Sequence, residues 1–102
     1  MSQASIAQVP AGLSLSGALN SQTGPTLREE GRRLLSALPA RHVVVDCAAV
    51  SHANSVGLSL LLAFMRDAKV LGKTLTIQNL PQELRQIAQV SGVLALLPLA
   101  ES

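Results

Sequence analysis

Two kinds of periodicity alternate along the chain. In "AGLSLSGAL" (11–19), Leu13, Leu15 and Leu19 alternate with Ser14, Ser16 and Ala18. A period of two predicts a strand with one buried face. The preceding "SIAQV" reads as its hairpin partner, with Pro10, Ala11 and Gly12 as the turn. The spacing then changes. In "TGPTLREEGRRLLSAL" (23–38), Leu27, Gly31, Leu34, Leu35 and Leu38 fall on one face of a helix. Thr23 or Thr26 suits its N-cap, Pro25 its first turn, and Glu29 and Glu30 the positive end of its dipole. Pro39 ends it. "HVVVDC" (42–47) is β-branched and predicts a central strand, with His52 in the loop beyond. A second helix is expected over 56–71, closed by Gly72. In "KTLTIQ" (73–78) Leu75 and Ile77 turn inward. "PQELRQIAQVSG" (81–92) predicts a third helix with Pro81 at its first position. Leu84, Ile87, Ala88 and Ser91 point inward, and Gly92 is the stop. "VLALLPLAES" reads as a last strand or a docked tail.

The order β-β-α-β-α-β-α predicts an α/β fold with crossover connections. A doubly wound sheet has apolar strands throughout. Here the second and fourth strands keep a polar side. The expectation is therefore a mixed sheet of four or five strands with helices mainly on one face, in one domain spanning 1–102. The other face is left wet or open to a partner.

Composition narrows the classes. Hydrophobic residues make up 48% and charged residues 14%, which excludes a disordered chain. The formal charge is only +2 and Phe64 is the sole aromatic, so nucleic acid lacks both its electrostatic attraction and its stacking platforms. Arg28, Arg32 and Arg33 read as a solvated helix face. A single cysteine, Cys47, excludes an internal disulfide and fits a reducing compartment. The first residues lack the basic and apolar regions of a secretory signal. The longest apolar window, Val56 to Met65, is about half of a bilayer span and is stopped by Arg66 and Asp67. These features predict a cytoplasmic protein that meets a membrane only through a partner. Cys47, His42 and His52 have no spacing suited to catalysis or metal binding, and Gly12, Gly17 and Gly24 are too scattered for a phosphate loop. No enzyme activity and no cofactor is expected.

"VSHANSVGLSLLLAFMRDA" (50–68) is the unusual stretch. Asn54 and Ser55 are both good N-caps, yet one cap needs one side chain. Ser51, His52, Asn54, Ser55 and Ser59 together exceed that need. Ser55, Ser59, Ala63 and Arg66 make a stripe of small residues ending in a charge, while Leu58, Leu61, Leu62 and Met65 face the core. Gly57 allows close approach of another backbone. The reading is a docking surface at the start of the second helix. Ser51, Asn54 and Ser55 supply hydrogen bonds, with His52 and Ser59 beside them. Val56 and Leu60 provide an apolar anchor, and Arg66 a rim charge.

Four segments carry a resemblance: Val43-Val44-Val45-Asp46-Cys47, Asn54-Ser55-Val56-Gly57-Leu58, Gly72-Lys73 and Ser91-Gly92-Val93. Their order resembles the STAS domain of anti-sigma-factor antagonists and sulfate-transporter tails. The resemblance covers about two thirds of the chain. It implies the STAS fold, a non-catalytic role in protein binding, and Ser55 as the candidate phosphoacceptor. Phospho-switched members typically carry Asp where Asn54 stands. With that departure and the short C-terminus, the chain looks most like MlaB-type subunits. The resemblance then implies a partner in the ATPase of a phospholipid-transporting ATP-binding-cassette system, together with its permease and lipid-binding subunits, which maintains outer-membrane lipid asymmetry. The alternative it implies is an antagonist of an anti-sigma kinase, switched by phosphorylation.

Overall fold

The structure is a computed structural model and describes residues 4–100. Four strands and three helices follow one another: β1 (Ala4–Val9), β2 (Gly12–Leu19), α1 (Gly24–Ala37), β3 (His42–Ala53), α2 (Ser55–Val70), β4 (Thr74–Gln78) and α3 (Gln82–Val90). The sheet order is β1-β2-β3-β4. β1 and β2 form the expected antiparallel hairpin, with Val9 opposite Gly12, whereas β2–β3 and β3–β4 are parallel.

One face of the sheet is the floor of the core. Leu13, Leu15, Val43, Val45, Leu75 and Ile77 are buried there, and Leu27, Leu35, Leu58, Leu61, Phe64, Leu84 and Ala88 close it from the helices. The other face carries Ser14, Ser16, Val44, Thr74 and Thr76, all half-buried or exposed. Its polar groups pair with one another. Ser5 Oγ lies 2.7 Å from Ser16 Oγ, and the two ring nitrogens of His42 lie 2.7 Å and 3.0 Å from the hydroxyls of Thr74 and Thr76. The alternating strands thus place all three helices on one side.

Several expectations are corrected. β3 does not stop at Cys47. It runs on to Ala53, so Ser51 and His52 are strand residues and not loop residues. The small residues after Cys47 have no strand pattern of their own. The parallel ladder with β2 holds them, through two register shifts, as far as Leu19 opposite Ala53. Thr23 occupies the N-cap position of α1 but makes no capping bond. Its hydroxyl donates to the Ala18 carbonyl at 2.7 Å and accepts from the Asn20 N–H at 3.0 Å, bracing the β2–α1 turn instead. Glu29 and Glu30 lie beyond the first turn of α1 and pair with Arg32 and Arg33. Arg28 leaves the solvated face and forms a bidentate ion pair with Asp67 of α2. Pro81 is the N-cap of α3 and not its first residue, and Ser91 is exposed, because α3 ends at Val90. The tail is a 3₁₀ turn, Leu94–Leu96, followed by a bridge from Leu99 to Ile77; its last two residues lie outside the described residues.

Candidate functional site

Each parallel strand leads into a helix that returns antiparallel to it. The starts of α1, α2 and α3 therefore gather at one end of the sheet, where β2, β3 and β4 finish. Asn54 makes the junction at α2. Its backbone N–H donates to the Leu19 carbonyl at 3.2 Å, tying the end of β3 to the end of β2. Its extended backbone lets the side-chain Oδ1 accept the Val56 N–H at 2.8 Å. Asn54 alone thus supplies the side-chain cap.

The other polar residues of the cluster have a different status. Ser51, His52, Ser55 and Ser59 are all exposed, and none of the three serines forms a side-chain hydrogen bond. His52 Nδ1 lies 3.8 Å from Glu83 Oε1 on α3, with both side chains largely in solvent. An ion pair of that length and exposure contributes little.

Val56 is half-buried and faces α1. A Cβ on Gly24 would sit 2.7 Å from Val56 Cγ1, so the helix starts abut only because residue 24 is glycine. Beside this contact runs a groove of about 390 Å³. It is walled by Gly24, Pro25 and Arg28 of α1 and by Val56, Ser59, Leu60 and Ala63 of α2, with Ser21 at its rim. Leu60 is only 4% exposed. It belongs to the core and forms part of the groove floor. Across α2, a second hollow of about 380 Å³ lies between Ala53 and the α3 residues Glu83, Gln86, Ile87 and Val90.

Ser51, His52, Asn54, Ser55, Val56 and Ser59 are therefore brought together. Arg66 is not. It lies eleven residues after Ser55, about 16 Å along the helix axis. Gly57 does permit a close approach, but within the molecule: a Cβ there would meet Leu84, Ala53 and Leu19 at 3.1–3.3 Å. Ser21, Gly24, Pro25 and Arg28 escaped the sequence reading. Gly24-Pro25 looked only like a helix start, and the one available signal was a glycine at a position where helix formation gains nothing from it.

The remaining chemistry is structural. Cys47 is buried, and desolvation followed by the nearby Asp46 charge pushes its thiol up to about 12, which keeps it protonated and unreactive. Asp46 Oδ1 accepts from the Ala48 N–H and from Asn79 Nδ2, both at 2.9 Å, linking the bulged part of β3 to the end of β4. Among the described residues no group of three or more His, Cys, Asp or Glu side chains is placed to hold a metal, and no helix is long and apolar enough to cross a membrane.

A family model described as "Mlab, STAS domain" matches residues 2–98. Solved structures repeat the architecture. An anti-sigma factor antagonist from Mycobacterium paratuberculosis is 21% identical with a TM-score of 0.76, covering 97% of this chain and 85% of its own. The anti-sigma factor antagonist SpoIIAA in its unphosphorylated form is 17% identical with a TM-score of 0.71, covering 97% and 89%. The Bacillus cell fate determinant SpoIIAA in its phosphorylated form is 17% identical with a TM-score of 0.67, covering 97% and 92%. At these identities the likeness is one of fold.

Proposed function

The chain belongs to the STAS domain family, and from that premise we propose that it is a docking module whose partner protein engages the start of α2 and the groove beside it. STAS domains of this kind are non-catalytic regulatory modules, and this chain has no catalytic motif. The observation that carries the proposal is the surplus at the helix start. Asn54 alone makes the side-chain cap, while Ser51, Ser55 and Ser59 keep exposed hydroxyls beside an apolar groove. A partner that inserts an apolar side chain between Pro25, Val56 and Ala63 would displace water from the groove. The hydroxyls would then fix its register, because a buried hydrogen-bonding group left unmet costs about 1–3 kcal/mol.

Two partner classes are supported by different observations. The likeness to anti-sigma factor antagonists favours an anti-sigma regulator as partner, and SpoIIAA exists in phosphorylated and unphosphorylated forms. In this chain the acceptor would be Ser55. It is exposed at the first position of α2, where free amides and the helix dipole favour an anion. The fold would tolerate the phosphate, and a neutral or acidic partner surface would not. The second class rests on membership of the Mlab STAS family and on Asn54: the partner would be the ATPase of a phospholipid-transporting ATP-binding-cassette system, with this chain as a cytoplasmic accessory subunit that supports ATP hydrolysis, and the similar structures favour it less than the first.

One experiment separates the classes and tests the site. Tagged protein is purified from its native host and its companions are identified by mass spectrometry. An ATPase with a permease points to the transporter class; an anti-sigma kinase, with a phosphate mass on Ser55, points to the antagonist class. Ser55→Glu is expected to weaken either complex at least about tenfold, or about 1.4 kcal/mol, with an unchanged circular dichroism spectrum. Undiminished binding by Ser55→Glu overturns the site.

A further inference from the structure

The starts of α1, α2 and α3 occupy one end of the sheet. The other end is made by the connections that lead into β2, β3 and β4, and these lie side by side. The Val44 N–H donates to the Ala11 carbonyl at 3.1 Å and the Thr74 N–H to the Arg41 carbonyl at 2.8 Å. Lys73 Nζ reaches across to the Ala40 carbonyl at 2.7 Å. Residues 10–11, 39–41 and 69–73 therefore share one surface. The ends of the described chain lie elsewhere: Ala4 stands opposite Gly17, late in β2, and Leu99 bridges Ile77, late in β4.

The side chains exposed on this surface are apolar or cationic. Pro10, Ala11, Pro39 and Ala40 are exposed at the loops, Val70 is 82% exposed and Leu71 41%. Arg41 and Lys69 stand exposed among them, and neither side chain has a partner among the described residues. Lys73 donates only to the Leu38 and Ala40 carbonyls, so its charge is also unmatched. These segments hold no acidic residue. Asp67, the one carboxylate of α2, is engaged by Arg28, while Arg32 and Arg33 pair with Glu29 and Glu30. Every charged residue of α1 is thus paired, whereas the cations at this end are not.

We infer that this end of the molecule rests on the surface of an anionic lipid bilayer, with Arg41, Lys69 and Lys73 against the headgroups and Val70 and Leu71 between them. Each cation near such a surface strengthens attachment about fivefold, and apolar side chains that enter the headgroup boundary add to it. The combination favours lipid over an acidic protein. Apolar residues that stand out at separate loops need no shaped pocket in a fluid headgroup layer, while a folded partner would have to supply one for each. Attachment of this kind is weak and reversible by itself, because stable anchoring takes two signals. The surface lies at the opposite end of the sheet from the α2 start, so the contact does not depend on the partner reading above, and both can be made at once.

The full chain is sedimented with vesicles of phosphatidylglycerol and phosphatidylcholine, and with vesicles of phosphatidylcholine alone. Attachment to the mixed vesicles should be at least about tenfold stronger and should fall away in about 1 M salt. Arg41→Gln and Lys69→Gln should each weaken it about fivefold, and Val70→Ser at least about threefold, all with unchanged thermal melts. Arg85→Gln removes the same charge from α3 and should change attachment by less than about twofold. No preference for the mixed vesicles overturns the inference. So does a loss in Arg85→Gln as large as that in Arg41→Gln, since net charge alone would then be read. Undiminished attachment by Val70→Ser overturns it in favour of an acidic protein surface.

Discussion

At the residue scale, single side chains decide how closely the helices approach. Gly31 of α1 faces the only aromatic ring in the protein. A Cβ there would clash with Phe64 Cε1 and lie 2.5 Å from Cζ, and Phe64 is fully buried. Alanine is the better helix former by about 1 kcal/mol, so propensity alone predicts that Gly31→Ala stabilises. Overpacking costs about 1–3 kcal/mol and outweighs it. Gly31→Ala is expected to lower stability in urea by up to about 2 kcal/mol. Phe64→Leu in the same chain should recover part of that loss, since the two changes share one contact. A stabilised Gly31→Ala would mean that the helices separate without penalty. The same reasoning holds for Gly24 against Val56, where close contact also shapes the groove.

At the element scale, two of the three helices end in a common manner, and a few polar bonds tie neighbouring elements together. α2 and α3 both close through a left-handed glycine. Gly72 bonds to Lys69 and Lys73 to Ala68; Gly92 bonds to Gln89 and Val93 to Ala88. α1 has no such glycine. The chain just past its end is held from another element: Lys73 Nζ donates to the carbonyl of Leu38, the C-cap, at 2.6 Å and to the Ala40 carbonyl at 2.7 Å. One ammonium thereby fastens the end of α1 to the turn between α2 and β4. Charge-assisted bonds of this kind contribute about 1.5–3 kcal/mol, reduced here because the site is partly exposed. Lys73→Met keeps the aliphatic stem and removes the donor. It is expected to cost about 1–2 kcal/mol and to speed amide exchange in the last turn of α1 more than in α3. Equal acceleration in both helices would show that Lys73 acts globally instead of as the α1 stop.

At the scale of the whole molecule, the sheet is two-sided in chemistry. Neighbouring valines of β3 report this directly. Val45 is fully buried beneath the helices, whereas Val44 lies on the open face and is half-buried. Val45→Ala is expected to cost about 2 kcal/mol, and Val44→Ala less than about 1 kcal/mol, measured by urea unfolding. Equal losses would imply a second covered face. Concentrating all three helices on one side has a further result. The helix starts converge at one end of the sheet, and the docking cluster, the apolar groove and the second hollow lie side by side there.

Much of this organisation was legible in the sequence, because it follows from local rules. The alternation of Leu13, Ser14, Leu15 and Ser16 specified a strand and its buried face. Pro10 with Gly12, and Gly72 and Gly92, marked turns and helix ends, since few other residues adopt those backbone angles without strain. The excess of polar residues at 51–59 was visible because capping has a known and small requirement. Other features depended on partners distant in the chain. β3 continues through Ser51 and His52 only because β2 lies beside it. Arg28 turns from the solvated face only because Asp67 faces it, 39 residues away. The groove exists only where Gly24-Pro25 and Val56-Ser59 are brought alongside. Helical periodicity placed Leu60 beside Val56 in an apolar stripe but could not show that α1 forms the other wall of the groove it lines. Local backbone preference and side-chain period are properties of short segments and can be read in one dimension. Which surfaces meet, and which hydroxyls remain without an internal partner, is decided by packing between segments, and that information exists only in the folded chain.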